Sequence, residues 1–379
     1  MFRAIPRFLL LSVLLLIGGL VSVSAQESVQ VTSKPDEVDI FYNNIAFVKD
    51  TMQLPTGASV QIALPDQVYA DTLIVRENGR RVMDYSLVQD SRLLVEWDST
   101  ATGDTREVTL QYLMGGLSWV PKYDMFLTSQ DVDHVDFDFF AEIHNSTFTA
   151  DSVLVKLVAG NVGLTTAFAG DFAAGASMNQ TVAGYDTAAA PQTPTLTGST
   201  TIQYIYEAGT MALDTTGTRY IGLLSTNLAV RKVNLWNANY DAQVYAIYKV
   251  KNESNIPLAD GLVHSYQDNI FLGSDAIELT PISSEGSVTV GTLQNVRVNR
   301  TENRTSLNTI FYSEQVDVTL ELNNYGADPV TIDVVDTYPT GGRDYTFSQE
   351  PGKQGDNQYR WTVTLAPGET VKITYQYKD

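Results

Sequence analysis

The chain of 379 residues contains no cysteine. This absence excludes disulfides, and it excludes a lipoprotein whose lipid is carried on a cysteine beside a cleavage site. Histidine is almost as scarce, with only His134, His144 and His264. None of the three lies in an HExxH or HxH motif, so a zinc site has few ligands to draw on.

Positive charge is also in short supply. Lysine and arginine number 24 against 44 aspartate and glutamate residues, which gives a formal net charge of −20. Nucleic acids and anionic membrane surfaces are recognised by basic patches. We therefore expect neither as a partner, and an acidic surface of this kind favours solubility outside the cytoplasm.

Apolar runs long enough to span a bilayer are missing, and the one near the start has another explanation. Arg3 and Arg7 precede the apolar stretch Leu9–Val21, and small residues follow at Val23–Ala25. This order predicts a secretory signal peptide, residues 1–25, cleaved before Gln26. About 13 apolar residues are too few for an uncleaved membrane anchor. We therefore expect an exported protein, periplasmic, cell-surface or extracellular, with no membrane span after signal cleavage.

What the chain has in abundance is alternation of apolar and polar residues. Near the C-terminus, Val316, Val318 and Leu320 alternate with polar residues, and similar patterns recur along the chain. Such alternation predicts strands with one buried and one wet face. Asn78-Gly79 predicts a type I′ hairpin turn, because both residues tolerate positive φ. No strong amphipathic helix is visible, and the sequence predicts an all-β fold.

The segments divide into two or three consecutive β-sandwich domains, the last of them immunoglobulin-like. After the signal peptide we expect an N-terminal β-domain over 26–115 and a central β-domain over 116–308. Residues 160–201 are rich in Ala, Gly, Thr, Ser and Pro, which predicts a flexible low-complexity loop within the central domain. Residues 309–379 read as the immunoglobulin-like sandwich.

Catalytic motifs are absent: no GxSxG, phosphate-binding loop or GxGxxG occurs. The sequence therefore predicts no catalytic residue and no cofactor. One acidic strand could bind a metal, because alternation places Asp136, Asp138 and Glu142 on one face, where their oxygens could hold Ca²⁺. The alternative is a solvated face whose charges discourage edge-to-edge aggregation. We favour the alternative, since the loop of known calcium motifs is missing.

A second candidate site lies in the segment from Gly116 to Asp124. Gly115 and Gly116 permit an unusual backbone, and Trp119 and Tyr123 supply large rings. One interpretation is a corner at which the chain passes from one sandwich to the next. The other is a cleft in which both rings stack on sugars. We favour the corner, and the cleft remains the alternative interpretation.

Five Asn-x-Ser/Thr sequons occur, in a chain rich in both residue types. They would matter only in a host that glycosylates proteins. They lie at Asn145, Asn179, Asn252, Asn299 and Asn303.

The order of several segments resembles the DUF4139 family. The matching segments are Val38–Asp50, Gly116–Asp124, Ala150–Leu157, Pro257–Gly261, Phe271–Gly273, Thr292–Val298 and Leu365–Glu369. The resemblance runs from about residue 36 to 379, although residues 200–240 diverge and the coiled-coil insertion of many relatives is missing. Some members carry the label mucoidy inhibitor A, which implies a link to exopolysaccharide and the cell envelope. The family defines no catalytic residues to carry over.

Together these observations predict an exported, non-enzymatic cell-envelope or secreted protein that acts through contacts with envelope proteins or glycans. Two alternatives stay open. One is an extracytoplasmic carbohydrate-active hydrolase using paired carboxylates, which sequence spacing cannot identify because the two groups usually lie on different strands. The other is a component of a surface layer or filament.

Overall fold

The computed structural model describes residues 28–56, 59–161, 196–199, 203–307, 309–339, 341–353 and 357–379. The predicted signal peptide lies outside the described residues, and so does most of the predicted loop at 160–201. Almost all regular structure in the described part is β-strand, with a single 3-10 turn at Ala70–Thr72. The all-β prediction is therefore confirmed.

In chain order the strands are β1 (Ser28–Thr32), β2 (Glu37–Ile40), β3 (Ile45–Pro55), β4 (Ser59–Ala63), β5 (Ile74–Glu77), β6 (Arg80–Arg81), β7 (Ser86–Gln89), β8 (Leu93–Asp98), β9 (Thr105–Gly115), β10 (Leu117–Leu127), β11 (His134–Asn145), β12 (Ala150–Ala159), β13 (Leu196–Ser199), β14 (Tyr204–Leu213), β15 (Thr218–Asn237), β16 (Tyr245–Lys251), β17 (Gly261–Gln267), β18 (Ile270–Ile277), β19 (Glu285–Thr292), β20 (Val296–Ser306), β21 (Glu314–Asn324), β22 (Val330–Thr337), β23 (Arg343–Phe347), β24 (Gly352–Lys353), β25 (Gln358–Leu365) and β26 (Thr370–Lys378).

These strands form four sheets. Two have four strands each, in the orders β1-β4-β8-β7 and β20-β21-β26-β23. An eight-stranded sheet has the order β13-β14-β12-β2-β3-β9-β5-β6. The central sheet follows β18-β17-β10-β11-β15-β22-β25-β24, and β16 and β19 branch from β15. β15 is long enough to pair with β11 along its first part and with β16 along its second.

Local signals in the sequence account for the strands and their turns. In β21, Val316, Val318 and Leu320 are buried while their neighbours are partly exposed, as the period of two requires. At the β5–β6 hairpin, Asn78 and Gly79 both have positive φ, 49° and 76°, which is the backbone of the predicted type I′ turn.

The described residues form two hydrophobic cores between the sheets. The larger core joins side chains from the eight-stranded sheet, the first four-stranded sheet and the β10–β11–β17 part of the central sheet. The smaller core lies between β20-β21-β26-β23 and β22-β25, and Trp236 at the end of β15 packs into it. The predicted C-terminal sandwich begins at residue 309. In the structure, strand β20 and Trp236, which precede that residue, also belong to it. The domain boundaries stay a prediction, since sheet pairing alone does not define separable units.

Three buried asparagines occupy equivalent places, each at a corner where a strand ends. Asn145 and Asn324 are the last residues of β11 and β21, and Asn252 directly follows β16. In each case the side-chain Nδ2 donates to a backbone carbonyl a few residues on, over 2.7 to 2.9 Å. The side-chain oxygen accepts the amide N–H two residues on. Each corner therefore satisfies its own buried polar groups.

The sequon asparagines differ in burial. Asn145 and Asn252 are buried and fully engaged, so the folded protein offers neither to a modifying enzyme. Asn299 and Asn303 are exposed on β20, at the edge of its sheet. Asn179 lies outside the described residues.

Candidate binding face of the central sheet

The strands β10 and β11 give the central sheet one buried and one outward face. In β11, Phe137, Phe139 and Ile143 are buried, whereas Asp136 and Asp138 point the other way. β10 alternates in the same manner, and its even-numbered residues face outward. This is the division of side chains that the alternation predicts.

Trp119 and Tyr123, the predicted binding pair, lie on the buried face. Both are completely buried, so neither ring offers a face to solvent. The indole Nε1–H of Trp119 donates to the backbone carbonyl of Val158 over 3.0 Å, and the Tyr123 hydroxyl donates to that of Ala259 over 2.7 Å. Sugar stacking needs exposed rings, and in this arrangement both rings are part of the core.

The same buried rings fix the segment that precedes β17. Tyr206 joins them by donating its hydroxyl to the backbone carbonyl of Pro257 over 3.1 Å. Its ring lies edge-on to that of Trp119, with centroids 5.8 Å apart. Gly261 follows, and a Cβ there would lie 2.6 Å from the Pro121 carbonyl oxygen, so only glycine fits. The aromatic cluster thus positions the start of β17 beside β10.

Gly116 has the geometry of a tight corner between β9 and β10. Its φ is +86°, a region that favours glycine. A Cβ on this residue would lie 2.5 Å from the Thr147 side chain, so a larger residue would also clash. The unusual backbone predicted for this glycine is present, at a point where the chain passes from the eight-stranded sheet to the central sheet.

The three predicted metal ligands share the outward face but have different partners. Asp136 accepts a hydrogen bond from Asn227 Nδ2 over 3.0 Å. Glu142 forms an ion pair with Lys122 at 3.5 Å, and its Oε1 lies 3.0 Å from His144 Nε2. Within the described part of the chain, no group of three or more His, Asp or Glu side chains is arranged to hold a metal ion.

Asp138 instead belongs to a polar row that runs across five strands. The register places it opposite Asp124 on β10, and Asp124 opposite His264 on β17. Ser225 on β15 and Ser274 on β18 complete the two ends of the row. Neighbouring strands lie about 4.8 Å apart, so the row is about 19 Å long.

Asp124 is the electrostatic centre of this row. Its Oδ1 lies 3.6 Å from His264 Nδ1. Partial burial raises the pKa of the Asp124 carboxyl above its usual value, and the negative charge of Asp138 raises that pKa further. The His264 ring acts in the opposite direction and lowers it.

An aromatic row lies beside the polar row, one outward position further along the strands. Phe126, Tyr266 and Phe271 come from β10, β17 and β18. The rings of Phe126 and Tyr266 stack at 5.2 Å, and that of Phe271 meets Tyr266 edge-on at 5.5 Å. Phe126 is 37 % exposed and Phe271 55 %. The β17–β18 turn holds the third ring in place through Asp268 and Asn269, both with positive φ.

We call these two rows together the binding face. Outward positions on one strand are about 7 Å apart, so a ligand lying on the aromatic rings can reach the carboxylates with its edge. The sequence reasoning singled out Asp138 but missed Asp124, Phe126, His264 and Tyr266 as site residues. Alternation could have placed each of them on an outward face, but only the register brings them together.

The fold and this face define the class: an all-β protein of several packed sheets with an open, aromatic and acidic surface. The chain belongs to the family described as a domain of unknown function, DUF4139, whose model matches residues 108–378. No curated protein and no solved structure matches the chain. Among the described residues, no helix has the length and apolar character needed to cross a membrane.

Proposed function

We propose that the protein is exported and works, without catalysing a reaction, as a glycan-binding protein of the cell envelope or its surroundings. The N-terminal sequence supports export, and the binding face supports recognition. The observation that carries the proposal is the row of partly exposed rings beside a row of carboxylates, Asp124 and Asp138. Rings of this kind cover the apolar face of a sugar, while carboxylates accept hydrogen bonds from its hydroxyl groups.

The energetics suit reversible binding. Covering the exposed part of one such ring removes about 100 Å² from water, which contributes about 2.5 kcal/mol. Two or three rings together offset the loss of translational and rotational freedom only in part. We therefore expect weak binding to a single short oligosaccharide and stronger binding to a polymer that contacts several copies of the protein.

The test uses polysaccharide isolated from the envelope of the source organism and the mature protein, mixed in a pull-down and then titrated by calorimetry. The variant Phe126→Ala with Phe271→Ala should weaken binding by about tenfold or more. The matched control is Tyr325→Ala, because this ring is 71 % exposed and lies in the C-terminal sandwich. Binding that is unchanged in the double variant, or lost equally in the control, would refute the proposal.

A second function, glycoside hydrolysis, is favoured by one observation. Asp124 and Asp138 are cross-strand neighbours, and the pKa of Asp124 is raised, as a general acid requires. Both carboxylates nevertheless lie on one open face, whereas glycoside hydrolysis needs two groups that flank the scissile bond. Release of reducing ends from the envelope polysaccharide, lost in Asp138→Asn, would establish hydrolysis. Its absence would favour binding alone.

A further inference from the structure

We infer that the ligand of the binding face is a polymer of amino sugars with free amino groups, such as chains of β-1,4-linked glucosamine. The inference rests on the proposed function and names the chemistry of the ligand. It follows from the charge of the face, from the place of its carboxylates and from the nature of its rings.

Charge complementarity is the first argument. The outward positions of β10 and β11 carry four carboxylates, and their one lysine, Lys122, already pairs with Glu142 at 3.5 Å. No cationic side chain forms an ion pair with Asp138 in the described part of the chain. The whole chain has a formal charge of −20, so its field attracts cations toward this face. An anionic polymer would be repelled.

The pairing of the two aspartates is the second argument. Asp124 and Asp138 lie directly opposite each other on adjacent strands, where like charges destabilise the pair. His264 is the only basic group in contact with Asp124 among the described residues. An ammonium group placed between the carboxylates would relieve their repulsion and form charge-assisted hydrogen bonds with both. A cation bound between Asp124 and Asp138 would therefore offset the repulsion between their carboxylates.

The rings are the third argument. An ammonium group is attracted to the face of an aromatic ring, and the apolar face of a sugar packs on the same surface. The aromatic row begins one outward position, about 7 Å, from the carboxylates. A sugar that packs on the exposed part of Phe126 can therefore direct a substituent toward Asp124. A neutral sugar would gain the stacking but not the ion pair.

The experiment compares three oligosaccharides of equal length in calorimetric titrations of the mature protein. They are a glucosamine hexamer, its N-acetylated counterpart and a glucose hexamer with the same linkage. We expect the glucosamine hexamer to bind about tenfold or more tightly than the other two, with a preference that decreases as salt is raised. Asp124→Asn with Asp138→Asn should remove this preference and leave the weak binding of the neutral sugars.

The control for non-specific attraction is Asp90→Asn with Asp104→Asn, which removes the same charge from two exposed sites elsewhere. An equal loss in both double variants would overturn the inference, because overall charge would then explain the preference. Equal binding of all three sugars, weakened by Phe126→Ala with Phe271→Ala, would also overturn it but leave the proposed function standing. No binding of any sugar, with the envelope polysaccharide also unbound, would overturn both.

Discussion

Replacing Trp119 with alanine tests whether the most prominent ring of the sequence motif is core or recognition surface. The ring is completely buried. Its centroid lies 5.1 Å from that of Tyr42 and 5.8 Å from that of Tyr206, and its Nε1–H donates to the Val158 carbonyl. The substitution would remove these contacts together. It would also leave a large cavity between the central and eight-stranded sheets.

The expected cost can be worked out from these contacts. Truncating a buried tryptophan to alanine lowers the free energy of unfolding by about 3–5 kcal/mol. The lost hydrogen bond contributes about 1 kcal/mol to that figure. Trp119→Phe removes the same bond but keeps an aromatic ring in the core, so it should cost less, about 1–2 kcal/mol. Since whole proteins are stable by only about 5–15 kcal/mol, the alanine variant loses a large share of the total.

Urea unfolding followed by circular dichroism measures this loss, with Phe126→Ala as the matched control. Phe126 is on the same strand but faces outward, so its truncation should cost less than about 1 kcal/mol. Because the described residues form two hydrophobic cores, unfolding need not be a single transition, and amide hydrogen exchange of β10 locates the effect. A Trp119→Ala protein with unchanged stability and weakened glycan binding would refute the assignment to the core.

Three further predictions concern charge, pH and an exposed turn. Asp336 is completely buried between the sheets of the C-terminal sandwich, where Arg300 Nε at 3.1 Å and the Tyr375 hydroxyl at 2.8 Å donate to it. Asp336→Asn should lower the free energy of unfolding by about 3–5 kcal/mol, and an unchanged melting temperature would contradict this role. Burial raises the pKa of Asp50 from 3.8 to about 6, so its protonated form is the one that folding favours. Its contribution to stability is complete below pH 3.8 and is lost as pH rises through about 6. Relative to Asp50→Asn, the natural protein should therefore lose up to about 3 kcal/mol between these limits, and parallel pH curves in chemical denaturation would refute the claim. Ile310 and Phe311 are 96 % and 86 % exposed, so replacing both with serine should change the free energy of unfolding by less than about 0.5 kcal/mol. A larger loss in the same assay would mean that the turn packs against something in solution.

The strands, their faces and several turns follow from local features of the sequence. Alternation is a property of a few consecutive residues, so β21 and β11 could be predicted without knowledge of their neighbours. The Asn78-Gly79 turn is equally local, because it depends on two residues that tolerate positive φ. These are the features that sequence reasoning predicts well.

The pairing of strands could not be predicted in the same way. Asp124 meets Asp138 after 14 residues but meets His264 after 140, and no local pattern specifies the second contact. Alternation also does not show which apolar strand face packs against which other strand face. Trp119 and Tyr123 therefore allowed two interpretations, corner or cleft, that only the packed sheets distinguish in terms of burial.

The buried rings and the binding face are nevertheless linked through one strand. On β10, Trp119 and Tyr123 point inward, while Asp124 and Phe126 point outward. A slip of one residue in the pairing of this strand would exchange the two faces, placing the carboxylate in the core and the indole in water. The inward rings use their polar atoms on the Val158 and Ala259 carbonyls, which ties β10 to a single register. That register is the one that aligns Asp124 with its partners on the adjacent strands, so the core residues determine the geometry of the face without touching a ligand.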